Sequence, residues 1–277
     1  MSDETILRVG IVGLGVGRHH IEPFRSHPRA DVVAVCDMDE TRLEQIGDEF
    51  KVSVRYSDMD AMLEDAALDI CSIATPNASH APLTLKALDA GCHVLCEKPM
   101  AMNAEEGREM IARAEATGRR LMIDFSYRFY GTSIALKREV DTGVLGDIYF
   151  ARTIWHRHRG IPGFGRWFTQ KSMAGGGPLI DLGVHRIDLA LWLMGYPEPE
   201  WIVGGTWDHI GARAGAEQGA EYSVEDLAVG MLRFKNGAIL EIEASWATNR
   251  PEAERMETRL YGTKAGLVHR NRNAGYE

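Results

Sequence analysis

No stretch of the sequence approaches the roughly 20 consecutive apolar residues that a bilayer-spanning helix needs, so no transmembrane segment is expected. Positive charge is also scarce. Against 40 Asp and Glu there are 31 Lys and Arg, a net charge of -9, which removes the basic footprint that nucleic-acid binding requires and disfavours acidic partners. The opening MSDETILRVG has neither the basic n-region nor the long apolar h-region of a secretory signal, so a cytoplasmic location is expected. Cysteine is limited to Cys36, Cys71, Cys92 and Cys96. At least Cys36, Cys71 and Cys96 lie in short apolar runs that look like buried strands, and all four are expected to be reduced core thiols. Cys92 and Cys96 are too far apart along a strand to bridge. No repeat or low-complexity tract is present.

What is there suits two domains: 277 residues with 45% hydrophobic content can fill two cores. An apolar run from Ile6 to Val12, a glycine-rich turn at Gly13 to Gly17 and a helix over Arg18 to Ser26 open the chain. Strand and helix then alternate: strand Asp31 to Asp37, helix Glu40 to Phe50, strand Leu68 to Ala74, helix Ser79 to Ala90, strand His93 to Cys96. A helix from Asn103 to Thr117, closed by Gly118, leads to a last strand, Leu121 to Phe125. This pattern predicts a Rossmann-type doubly wound parallel sheet over residues 1–126, followed by a second domain over 127–277.

In such sheets ligands lie beyond the carboxyl ends of the strands, and these ends are chemically pointed here. Gly13, Gly15 and Gly17, with Val16, can bring backbone N–H groups to a pyrophosphate at a helix N-terminus. The usual G-x-G-x-x-G spacing is not met, because Arg18 stands where the third glycine belongs, and a ligand-free tight turn is the plain alternative. Asp37 follows the second apolar run at the distance where an acidic side chain accepts from the adenosine ribose hydroxyls. Its charge repels a 2′-phosphate and so favours NAD over NADP, with Arg42 the candidate to reverse that preference. The plain reading of Asp37 is a solvated residue opening a helix with Asp39 and Glu40. Thr75, Pro76 and Asn77, then His80, and finally Glu97 and Lys98 before Pro99 complete the expected cofactor contacts. His80 reads equally as helix packing.

Taken together, the segments GIVGLGVGRHH, AVCD, IATPNASH, CEKP, YRF, AGGGPLIDLGVHRIDLALWLMG, VEDLAVGMLRFKNGA and YGTKAGL resemble the glucose-fructose oxidoreductase and inositol dehydrogenase family, written Gfo/Idh/MocA. The resemblance covers nearly the whole chain, and CEKP followed by DLGVH is its most specific combination. It implies a Rossmann domain followed by an α+β domain with an open, mainly antiparallel sheet that carries substrate contacts and a homo-oligomer surface. The residues agree: strand-like runs cover Ile148 to Trp155, Glu221 to Phe234 and Ala238 to Trp246, the last two joined at the hairpin pair Asn236-Gly237. A helix is expected over Asp181 to Met194. Members of the family resembled normally continue with a further strand and helix beyond the point corresponding to Glu277.

Oxidising a secondary alcohol requires a hydride acceptor, a base and alignment. Lys98, at a strand end, can hydrogen-bond the reacting oxygen and stabilise alkoxide charge, although a surface lysine is the plain alternative. Asp181 and His185 are four apart, which stacks them on one helix face and makes His185 the expected base and Asp181 its partner, as the resemblance also implies. Asp188 continues the stripe. Metal ligation by it lacks a second histidine, and the resemblance points to metal-free chemistry. His156 and His158, with Trp167, are candidate contacts to a polyol, against an H-x-H metal pair or a solvated edge strand for the first two and ordinary packing for the third. Tyr127 and Arg128 read as structural at least as readily as catalytic. The expected activity is NAD-dependent oxidation of a hydroxyl on a sugar, cyclitol or sugar derivative. Its rivals are a glycoside lyase or hydrolase that cycles NAD, and a non-catalytic nucleotide sensor.

Overall fold

The computed structural model describes residues 5–272 and 275–276. Two compact units, Met1–Asp124 and Phe125–Glu277, divide the chain just ahead of the boundary expected at 126.

The first unit runs β1 Leu7–Val12, α1 Arg18–Arg25, β2 Ala30–Cys36, α2 Glu40–Glu49, β3 Arg55–Tyr56, α3 Met59–Asp65, β4 Ile70–Ile73, α4 His80–Asp89, β5 His93–Cys96, α5 Ala104–Thr117 and β6 Leu121–Ile123. Its strands pair in the order β3-β2-β1-β4-β5-β6, all parallel. The order reverses beside β1, which sets a topological switch point at the carboxyl ends of β1 and β4. Helix starts are set by short polar side chains: Asp39, Asp58 and Asn103 each accept from a backbone N–H of the first turn. Gly118, at φ +64, ends α5 in the left-handed conformation that costs glycine least. One face of the sheet packs Ile21 of α1 and Ile46 of α2 on Val9, Ile11 and Val32. The other packs Met62, Leu88 and Met110, from α3, α4 and α5, on Cys71, Ile73 and Val94. Each such fully buried side chain contributes about 2 kcal/mol. All four cysteines are buried and unpaired. The edge strand β3 has only two residues, too few to show a period.

The second unit runs α6 Gly131–Asp141, β7 Ile148–Arg157, α7 Lys171–Ala174, a π-helical turn Leu179–Gly183, α8 Val184–Leu193, β8 Pro199–Trp207, α9 His209–Glu217, β9 Leu227–Phe234, β10 Ile239–Ser245, β11 Glu254–Gly262, β12 Gly266–Arg272 and β13 Gly275–Tyr276. Seven strands form one sheet, β13-β12-β11-β7-β10-β9-β8, antiparallel except where β10 lies parallel to β7. The strand expected from Glu221 begins only at Leu227, because the preceding carboxylates serve helix starts: Asp226 Oδ2 accepts from the N–H groups of Ile210 and Gly211, 2.7 and 2.6 Å away. Leu189 and Leu193 of α8 pack on Ala151, Leu240, Ile242 and Leu260, which share one face of the sheet. The opposite face carries a charged ladder in which Arg152 pairs with Glu243 and Glu257 accepts from Arg255 and Arg259.

Candidate active site

The turn after β1 closes by backbone approach. Gly13, at φ +85, donates its N–H to Cys36 O over 2.9 Å, and a Cβ there would stand 2.6 Å from Ala74 O. A Cβ at Gly17 would meet Gly13 O at 2.3 Å and Ala74 Cβ at 3.1 Å. Gly17 thus performs the helix-to-strand packing for which the usual third glycine is required, one position early. Gly15 has open space on its Cβ side, and Val16 beside it is exposed. This leaves a backbone path for a pyrophosphate at the start of α1. Next to the turn, Thr75 Oγ1 is buried with no hydrogen-bond partner among the described residues. A bare turn on one side and an unsatisfied buried hydroxyl on the other fit a dinucleotide. Pro76 and the buried Asn77 continue that turn.

Asp37 is held at the end of β2. Its Oδ2 accepts from Leu14 N at 2.7 Å and its Oδ1 from Asp39 N at 2.9 Å, while Arg42 approaches both oxygens at 3.2 and 3.3 Å. The carboxylate therefore ties the glycine turn to α2 and retains limited capacity for a ribose hydroxyl. A cavity of about 380 Å³ opens alongside, lined by Gly15, Arg18, Asp39, Thr41, Arg42 and Gln45 among others. Arg18 thus joins Arg42 as a second cation on the side where a 2′-phosphate would lie.

Lys98 is half-buried at the end of β5, and its peptide bond to Pro99 is cis. His80 is fully buried, with Nδ1 2.7 Å from Pro99 O and Nε2 2.9 Å from Thr75 O. This corrects the expectation of a cofactor contact: the imidazole has no exposed atom and instead clamps the turn after β4 to the turn after β5. Burial lowers its proton affinity, against which both carbonyl contacts work. Glu97 likewise turns inward. Its Oε1 lies 3.2 Å from His20 Nε2 and its Oε2 accepts from Lys98 N at 3.1 Å. Burial drives the Glu97 carboxyl up, but the His20 bond, the Lys98 charge and the Lys98 N–H bring it below its ordinary value.

In the second unit, Asp181 lies in the π-helical turn and His185 in the first turn of α8. π-helical turns occur frequently at functional sites. Trp246 Nε1 donates to Asp181 Oδ2 over 2.9 Å, and His185 packs between the rings of Tyr127 and Trp155, with centroids 5.0 and 5.8 Å away. The π turn is itself seated by Glu225, whose carboxylate accepts from Gly177 N and Leu179 N. A Cβ at Gly177 would stand 2.0 Å from Glu225 O, so glycine is required at that position. Asp188 is bound by the guanidinium of Arg128, Nε lying 2.6 Å from Oδ2, which makes both structural.

His156 falls elsewhere. Strand alternation turns Trp155 toward His185 and places His156 on the ladder face, 3.3 Å from Glu243 Oε2. The expected substrate contact is not supported by that placement. His158 Nδ1 is engaged with Arg250 O at 2.8 Å and anchors a loop. Trp167 stacks on Phe168 with centroids 3.7 Å apart. Sequence reasoning missed His20, Asp124, Glu225 and Trp246. Of these, Asp124 and Trp246 stand just past the ends of β6 and β10, where a strand-end search could have found them.

Residues 7–125 match the family described as "Oxidoreductase family, NAD-binding Rossmann fold", and residues 134–268 match the "GFO/IDH/MocA C-terminal domain". The chain is 38% identical over 269 residues to the D-glucoside 3-dehydrogenase of Escherichia coli K12, covering 95% of this chain and 76% of that protein. It is 28% identical over 266 residues to the myo-inositol 2-dehydrogenase of Thermotoga maritima, covering 96% and 75%. Among solved structures, a levoglucosan dehydrogenase in complex with NADH and L-sorbose superposes with a TM-score of 0.86 at 26% identity, covering 95% of this chain and 73% of that one. The glycine turn, the strand-end Lys98 and the matches over both units lead to one conclusion: the chain belongs to the Gfo/Idh/MocA family of NAD-binding oxidoreductases.

Proposed function

We propose that the chain oxidises a secondary hydroxyl of a sugar, cyclitol or sugar derivative, with NAD as hydride acceptor. The observation that carries this reading is one sheet bearing both a dinucleotide turn at Gly13–Gly17 and a half-buried lysine, Lys98, at the end of β5. The relatives named for a D-glucoside, myo-inositol and levoglucosan support a polyhydroxylated ring as substrate.

Gly13, Gly15, Val16 and Gly17 would hold the pyrophosphate, Asp37 the adenosine ribose, and Thr75, Pro76 and Asn77 the nicotinamide end. NAD, when bound there, supplies the hydride acceptor. Lys98 donates a hydrogen bond to the reacting oxygen and stabilises its negative charge as the proton leaves. His185 receives that proton. Asp181, fixed by Trp246, orients the imidazole. Trp167 offers a ring face to the substrate. His158, whose Nδ1 is engaged, contributes through the loop it anchors.

Association of copies through the second sheet belongs to the same reading. Trp201, Val203, Trp207, Val229 and Met231 are all more than one-third exposed and share the ladder face of β8 and β9. An apolar patch of this kind suits a protein interface. Light scattering of the purified chain, with Val203→Arg as the disrupting variant, tests it. Four buried, unpaired thiols suit a reducing compartment, and we place the chain in the cytoplasm. No helix among the described residues is long and apolar enough to cross a membrane.

The test of activity is a panel of methyl D-glucosides, myo-inositol, levoglucosan and aldoses incubated with the chain and NAD. NADH accumulating with at least one member is the expected result. Substrate consumed without NADH indicates cofactor cycling, and NAD binding without any turnover indicates a sensor. Either outcome overturns the reading.

A further inference from the structure

Inside the first unit, His20 of α1 brings together the ends of three strands. Its Nδ1 lies 2.8 Å from Ser72 Oγ on β4, and its Nε2 lies 3.2 Å from Glu97 Oε1 after β5 and 3.6 Å from Asp124 Oδ2 after β6. Ser72 is fully buried and His20 nearly so. The donor directions follow from the partners. A carboxylate only accepts, so Nε2 carries the hydrogen toward Glu97, and the Ser72 hydroxyl is then free to donate to Nδ1. One tautomer satisfies the whole chain of bonds. The three ligand-type atoms of His20, Glu97 and Asp124 lie within 4.8 Å of one another, with a hydrogen bond joining His20 to Glu97 and Asp124 standing 3.6 Å from the same nitrogen.

The far end of this chain is Lys98. Glu97 Oε2 accepts the backbone N–H of Lys98 at 3.1 Å, so the orientation of the Glu97 carboxylate sets the peptide from which the lysine side chain departs. With Oε1 pinned by His20, the carboxylate cannot rotate without losing that part-buried bond.

We propose that His20 is a positioning residue for Lys98: by donating from Nε2 to Glu97 Oε1 it locks the carboxylate whose second oxygen holds the Lys98 peptide in place. The Asp124 carboxylate, 3.6 Å away and so too far for a hydrogen bond, faces the same nitrogen. Ser72 fixes the ring from behind. The inference rests on the reading of Lys98 as the residue at the reacting oxygen. It adds a route by which α1, whose N-terminus receives the pyrophosphate, is mechanically joined to that lysine.

The experiment is peptide-resolved hydrogen–deuterium exchange on the full chain, with and without NAD, for wild type, His20→Leu and His20→Gln. Pro99 has no amide, so a short peptide across Lys98 reports few sites beside it. In His20→Leu the Lys98 peptide should exchange about tenfold faster or more, while β1 and β4 keep their protection. His20→Gln, which places an amide N–H near the Nε2 position, should restore most of the protection. NAD affinity by calorimetry should stay within about threefold, whereas kcat on a turned-over panel sugar should fall by about tenfold or more. Unchanged exchange at Lys98 in His20→Leu, or a uniform rise through β1 and β4, would overturn the proposal. If His20→Leu does not fold, Glu97→Gln serves: the same selective loss at Lys98 supports the lock, and unchanged protection refutes it. Lys98→Met tests the underlying reading separately. Retained turnover in that variant removes Lys98 from the reaction regardless of the exchange pattern.

Discussion

Trp246 donates its indole N–H to Asp181 Oδ2 over 2.9 Å, joining the end of β10 to the π-helical turn that leads into His185. Trp246 is fully buried while Asp181 is half-buried, so the carboxylate is aimed by the sheet as well as by the helix. Replacing Trp246 with Phe keeps the apolar contact but removes the donor. The expected loss is about 1–3 kcal/mol of stability by urea unfolding. It should be accompanied by a fall in kcat larger than any change in NAD affinity. Wild-type kcat in a folded Trp246→Phe chain would show that Asp181 needs no such alignment.

Lys98 and His185 are assigned different tasks in one reaction, and each should be costly to lose. Lys98→Met and His185→Ala should each reduce kcat by about a hundredfold or more, the scale of a lost proton-transfer or charge-stabilising group. His185→Ala should leave NAD affinity, measured by calorimetry, within about threefold of wild type.

Asp37 holds the glycine turn, and in the proposed reading it also discriminates between cofactors. Asp37→Ser removes the charge that repels a 2′-phosphate and releases Arg42, beside Arg18, toward the cavity. The ratio of NADP to NAD affinity should rise by about tenfold or more. Because Leu14 N and Asp39 N lose a charged acceptor, thermal stability should fall in the same variant. An unchanged cofactor ratio would mean that Asp37 serves only the turn.

Acid should weaken the second unit through His269. Burial, then the positive charge of Arg186, push this imidazole from 6.5 down to about 4. Folded His269 therefore stays neutral where the unfolded group is already protonated, so stability is complete above the unfolded value and declines as pH falls from 6.5 toward about 4. His80 and His156, both lowered chiefly by burial, act in the same direction. The urea midpoint should drop across that window, and His269→Gln should flatten part of the drop. An equally steep decline in the variant would assign the effect to other groups.

The first unit was legible in the sequence because each of its longer strands is a short apolar run ending in a chemically distinctive residue. Val12 precedes the glycine turn, Cys36 precedes Asp37, and Cys96 precedes Glu97 and Lys98. The sequence offers Gly17 as a pyrophosphate contact and shows Arg18 at the third-glycine position, but only the close approach of Gly17 to Gly13 O and Ala74 shows that it does the packing of that third glycine. His156 was misplaced for a different reason. Alternation along β7 correctly separates it from Trp155, but the face that is covered by α8 is decided by strand neighbours distant in sequence. The β8 strand, with most of its residues exposed, has no buried face to imprint a period, and β11 with β12 was visible only through the segment YGTKAGL. His20 and Trp246 were missed because their roles come from partners 77 and 65 positions away.

The most direct measurement uses a panel sugar deuterated at the carbon that is oxidised and follows the mass of the NADH formed. Hydride transfer predicts that the deuterium appears on the nicotinamide and that turnover slows relative to the protiated sugar. Unlabelled NADH, or deuterium released only to solvent, would contradict direct oxidation of that carbon by the cofactor this chain binds.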